Sequence, residues 1–228
     1  MSILDRSTLR DAQTVDYVDS SAISGHKVLR NTYMLLSMTL LFSAITAGVS
    51  IAFALPSMGI IVTLIGYFGL LFLTAKLRNS AWGIASVFAL TGFMGLTLGP
   101  IISRYLGMPG GSGIVMSAMG LTAVIFMGLS AYVLISKRDF SFMGGFLAVG
   151  VLVAFVAGLG AMFFEVPALS IAVSAAFVLL MSGMILFETS NIIRGGETNY
   201  IMATVSLYIT IFNLFTSLLQ ILGFMEKE

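Results

Sequence analysis

Glu188 is the one acidic residue set inside a long apolar run, in Met184-Ile185-Leu186-Phe187-Glu188-Thr189-Ser190-Asn191. An acidic side chain at mid-membrane costs roughly 2.5–3.5 kcal/mol on insertion scales, and less towards the interface. Such a residue faces a bundle interior and is a candidate for proton or cation chemistry. A few residues on, Ser206, Thr210, Asn213, Ser217 and Gln220 recur at intervals of 4, 3, 4 and 3. That spacing draws one polar stripe along a helix whose other positions are nearly all apolar. The stripe should face protein or water rather than lipid. A short hairpin joins Glu188 to it, so the two together would form a polar seam with a titratable group near one end. Arg78 is the candidate cation for that group. Glu188 is also the one candidate for a metal ligand, a weak one.

Other chemistries find no purchase. The chain has no cysteine, which removes disulfides, thiolate catalysis and iron–sulfur clusters. It has no H-E-x-x-H, no G-x-S-x-G and no phosphate-cradling glycine loop. The single histidine, His26, lies in a polar N-terminal segment, where a surface histidine is the plain reading. Enzymatic activity and a cofactor are not expected.

The elements that must position these residues follow from charge. Of 228 residues, 58% are hydrophobic and 9% charged, against about 25% charged in a soluble domain. Eight charges fall in the first 30 residues. The stretches 31–75, 79–103, 105–136, 140–164, 166–187 and 198–225 contain no Asp, Glu, Lys or Arg. A spanning helix needs about 20 apolar residues, so five stretches hold one span and the longest holds two. Pro56-Ser57-Met58-Gly59 divides that longest stretch. The expectation is an all-α bundle with spans near 32–54, 58–75, 81–103, 114–136, 141–164, 168–188 and 201–223. Helix is preferred to strand because backbone groups in lipid must be satisfied within the segment. This composition excludes a soluble enzyme, a nucleic-acid binder and a disordered regulator.

Three regions result: a flexible tail over 1–30, a seven-span domain over 31–225 and a short end over 226–228. The tail carries Asp5, Arg6, Arg10, Asp11, Asp16, Asp19, Lys27 and Arg30, a balanced mixture without a sustained apolar face. It is either an inert extension or a handle for another protein. With the N-terminus in the cytoplasm, nine basic residues lie on that side and two, Arg104 and Lys227, on the other. The positive-inside rule therefore places the N-terminus inside and the C-terminus outside. Gly95-x-x-x-Gly99, Ala154-x-x-x-Gly158 and Gly144-Gly145 are expected to pack helices closely within the bundle.

The C-terminal third resembles a known family. Ile185 through Ile193, Asn199-Tyr200-Ile201 and Ser206 through Phe215 look like the signature of the Bax inhibitor motif (TMBIM) family, as does Thr91 through Pro100. The similarity extends from about residue 28 to 224. Gly195 through Tyr200 and Ile221-Leu222-Gly223-Phe224 resemble its bacterial, YccA-like branch. The resemblance implies a seventh span surrounded by the other six. It also implies two functions. One is a modulator of the membrane-bound AAA protease FtsH in the bacterial inner membrane, engaged through the N-terminal tail. The alternative is a pH-sensitive calcium or proton leak with Glu188 in the pore. In the leak members two aspartates on the last two spans gate conduction. Glu188 keeps the first carboxylate, whereas Thr210 stands at the second, and one carboxylate with a hydroxyl makes a weaker cation site.

Overall fold

The computed structural model describes the backbone of residues 3–226 and the side chains of residues 26–226. Seven α-helices run through them: α1 (Ile3–Ala52), α2 (Ile60–Leu77), α3 (Trp82–Leu106), α4 (Gly111–Ser136), α5 (Gly144–Phe163), α6 (Pro167–Ile193) and α7 (Tyr200–Met225). A 3-10 turn, Ser141–Met143, leads into α5. Each helix contains a segment long and apolar enough to cross a membrane, and in α1 that segment is His26–Ala52. The expected flexibility of residues 1–30 falls largely outside the described side chains.

Local chemistry sets the breaks. The expected turn at Pro56 separates α1 from α2, and Gly59 there takes a φ of 73°, which suits a residue without a Cβ. Pro167 opens α6 at its first turn, where its missing N–H costs nothing. Asn199 caps α7, its Oδ1 accepting from the backbone N–H groups of Ile201 (3.0 Å) and Met202 (3.1 Å). Its Nδ2 donates to the Arg78 carbonyl (3.0 Å) and to Asn79 Oδ1 (2.9 Å), so one side chain ties the α6–α7 turn to the α2–α3 loop. Asn199→Ala is expected to cost about 1–2 kcal/mol, measured as a lowered thermal midpoint in detergent.

One helix, α7, lies at the centre of the bundle. The α1–α3 pair is the most extensive interface, and α7 is the most buried span. Leu207, Tyr208, Leu214 and Leu219 of α7 are almost wholly enclosed. The helix packs chiefly against α1, α3, α4 and α6. Of the other two helices around it, α2 packs on α3 and α5 on α6. The α2 helix has a single buried residue, Thr74.

Glycines let α1 and α3 approach. A Cβ on Gly95 would meet the Ser43 backbone, and one on Gly99 would come within 3.1 Å of the Ala47 carbonyl oxygen. The Gly95-x-x-x-Gly99 expectation therefore becomes a contact with α1. Gly150 and Gly183 do similar work between α5 and α6, against Leu180 and Leu147.

Pro100 sits inside α3 and cannot donate to the Leu96 carbonyl four residues back. Ser50 of α1 fills that place, its hydroxyl donating to Leu96 O at 2.9 Å. A freed carbonyl in a bilayer has no water to turn to, and this one is satisfied from the neighbouring helix. Ser50→Ala should cost about 1–3 kcal/mol for the orphaned acceptor, more than Ser37→Ala, whose hydroxyl bonds only within its own helix. Comparing the two thermal midpoints checks this.

Candidate functional site

The helix α6 runs five residues past Glu188, so the carboxylate lies within the bundle rather than at a helix end. There it is buried, and α7 runs antiparallel beside it. Ser206 Oγ donates to Glu188 Oε1 at 2.5 Å. Thr210 Oγ1, one turn on, lies 3.1 and 3.2 Å from the two carboxylate oxygens. The i, i+4 spacing on α7 is what brings both hydroxyls to one acceptor.

Arg78 does not join them. It is exposed on the α2–α3 loop, where its backbone carbonyl is held by Asn199. The proposed Glu188–Arg78 pairing is therefore corrected: Arg78 closes the second span, and that end meets the α6–α7 turn rather than the α6 interior. The single ion pair among the described residues is Arg194 with Asp139, at 3.6 Å.

The rest of the stripe divides by depth. Gln220 pairs with the start of α6, accepting from Ser174 Oγ (2.8 Å) and donating to Ser170 Oγ. Asn213, in the middle of α7, donates to its own Ile209 carbonyl at 2.8 Å and borders a separate cavity. Ser217 is buried between those levels. The α6–α7 seam is thus real at both ends and interrupted at its centre.

Sequence reasoning missed the residues around the cluster. Thr189 contacts Tyr33 Oη and Ser130 Oγ, each at 3.5 Å, linking α6 to α1 and α4. Tyr208 buries its ring and bonds Ser43 Oγ (2.6 Å) and the Thr91 carbonyl (3.3 Å). Ser190 accepts from the Phe140 backbone N–H (3.1 Å) and donates to the Arg138 carbonyl (3.3 Å). Their signal in the sequence was polarity alone, since single hydroxyls in apolar runs usually bond to their own helix.

The Ser190 contacts, with Arg194 Nη2 donating to the Lys137 carbonyl at 2.8 Å, hold the α4–α5 loop over the end of α6 nearest Glu188. Asp139 strengthens this tie. The hydroxyl and backbone N–H of Ser141, with a smaller contribution from Arg194, hold its carboxyl below the ordinary carboxylate range. A lowered pKa means a contribution present above the unfolded value, about 3.9, and lost as pH falls through the folded one. The protection factors of amides 137–141, which compare exchange with its intrinsic rate at each pH, should therefore stay unchanged from neutral pH down to about 5 and fall only below about 4.

Glu188 meets two hydroxyls and no second carboxylate. Among the described residues no group of three ligating side chains converges anywhere. The arrangement can hold or exchange a proton at one carboxylate, and it would give a divalent cation a single charged ligand. Glu188→Gln keeps an acceptor oxygen for Ser206 and Thr210, whereas Glu188→Leu removes both bonds. Leucine should cost about 1–3 kcal/mol more than glutamine in stability, read from thermal midpoints in detergent.

Comparison with known proteins agrees with this architecture. The family model described as inhibitor of apoptosis-promoting Bax1 matches residues 25–227. The modulator of FtsH protease YccA from Escherichia coli K12 is 55% identical over 209 residues, covering 92% of this chain and 95% of the relative. An uncharacterised Pseudomonas aeruginosa protein is 54% identical over 215 residues, covering 92% and 97%. A membrane protein of Vibrio cholerae is 47% identical, covering 89% and 92%. With the match spanning all seven helices and the Glu188 hairpin, the chain belongs to the Bax inhibitor family of multi-pass membrane proteins.

Proposed function

We propose that this chain is a bacterial inner-membrane modulator of an FtsH-type AAA protease, bound through its N-terminal tail, and that it slows proteolysis of other membrane proteins. The observation that carries the reading is the 55% identity, over nearly the whole of both chains, to a protein named as a modulator of that protease. The bias of basic residues supports a cytoplasmic N-terminus and a C-terminus on the opposite side. No active site is needed. A protease that grips the tail must draw α1 out first, and α1 makes the most extensive interface in the bundle. The slow step is that extraction, and while it lasts the protease is occupied. Purification in mild detergent tests the reading. The chain should retain the protease, and Glu188→Gln should retain it equally. Failure of the full-length chain to hold the protease would end the proposal.

A second reading rests on the buried Glu188 carboxylate with Ser206 and Thr210 as donors. It is a proton or calcium leak in which that carboxylate controls passage. Flux into liposomes at two pH values should then fall in Glu188→Gln. Equal flux in the two chains would remove this reading and leave the first intact.

A further inference from the structure

A cavity of about 540 Å³ opens through the side of the bundle. Its walls are α2 and α5, which pack on α3 and α6 respectively and not on each other. Its floor is α7. Leu64 and Phe68 line one wall, Leu152 and Phe155 the other, and Phe177 and Phe212 the back. All but Leu64 belong to the middle turns of their helices, so the slot faces the hydrocarbon of the bilayer rather than either surface.

Four polar side chains line the cavity, Tyr67 among them, and the donors of the other three go to their own helices. Thr63 donates to the Gly59 carbonyl (2.8 Å), Thr97 to that of Met94 (2.7 Å) and Asn213 to that of Ile209 (2.8 Å). With those donors spent on their own helices, the space offers little to water or an ion, which need several polar partners. Left empty, it would forfeit dispersion contacts along all its aromatic walls. The occupant is therefore apolar.

Size separates the two apolar candidates that a membrane supplies. A helix with side chains is about 10–12 Å across. At the lower figure, 540 Å³ holds only about 7 Å of its length, little more than one turn. A single hydrocarbon chain is narrow enough to lie along the slot. We propose that this cavity is a lipid site, occupied by one acyl chain of a bilayer phospholipid that enters between α2 and α5. The weak anchorage of α2, with Thr74 its one buried residue, makes that wall the side that yields.

Quenching by phosphatidylcholine brominated at mid-chain tests this, because bromine quenches tryptophan only at close range. Trp82, the single tryptophan, is exposed at the start of α3 and is first removed as Trp82→Phe. In that background Phe212→Trp and Phe177→Trp place reporters at the cavity, and Phe215→Trp places a control in the closed core. If one reporter fails to fold, the other carries the same test. In brominated vesicles both reporters should lose about half their emission or more, since a pocket of this kind encloses most of its ligand, while the control keeps its emission. Ala148→Phe, which fills the cavity from α5, should restore most of the loss. Reporters that behave like the control would overturn the proposal. So would quenching that Ala148→Phe leaves unchanged, or quenching by aqueous acrylamide instead of brominated lipid.

Discussion

Gly95→Leu is expected to unseat the first span. A Cβ at this position already collides with the Ser43 backbone, and backbone cannot turn aside as a flexible side chain can. Three further heavy atoms would have to enter an interface with no gap. Alanine should therefore cost about 1–3 kcal/mol, the usual penalty of overpacking, and leucine more. The damage would spread, because separating α1 from α3 also removes the Ser50 bond to the Leu96 carbonyl. Under the proposed function the phenotype goes beyond instability. A chain whose first span comes away easily is a fast substrate, and its half-life in cells holding the protease should fall several-fold. Gly69→Leu is the control: a Cβ there meets nothing within 4 Å, so both fold and half-life should be kept.

The helical bundle was legible because charge and hydropathy act at the scale of whole spans. Six charge-free runs, the longest divided at Pro56, gave seven segments, and seven helices occupy them. Ends were less legible. The α6 helix continues to Ile193 because Thr189 and Ser190 find partners on other elements, which hydropathy cannot register. The Glu188 pairing with Ser206 and Thr210 was readable from the four-residue spacing and the short hairpin. The error over Arg78 had a physical origin: attraction between opposite charges says nothing of distance, and the Asn199 cap holds that loop elsewhere. Pro100 was quoted in the sequence as part of a family motif, yet its consequence, a carbonyl that Ser50 must satisfy, exists only once α1 and α3 are side by side.

Deletion of residues 1–25 should have the second large effect. The deleted segment carries six of the eight charges found in the first 30 residues. It also precedes His26, where the apolar part of α1 begins. The interfaces of the seven spans are left in place, so the shortened chain should keep its thermal midpoint in detergent. What it should lose is capture, because a protease that pulls from an end needs a length of chain to grip. Co-purification with the protease should fall to background. Ion flux, if the chain supports any, should be unchanged, since Glu188, Ser206 and Thr210 lie far along the sequence from the cut. This variant therefore separates a tail-mediated role from one seated in the α6–α7 seam.

The most direct measurement is the rate at which a purified FtsH-type protease degrades a second membrane protein in proteoliposomes containing this chain at equal molar amount. The full-length chain should slow that degradation, the chain lacking residues 1–25 should not, and Gly95→Leu should slow it only until it is itself consumed. Equal slowing by the full-length and tail-deleted chains would contradict capture through the tail, and no slowing by either would contradict modulation altogether.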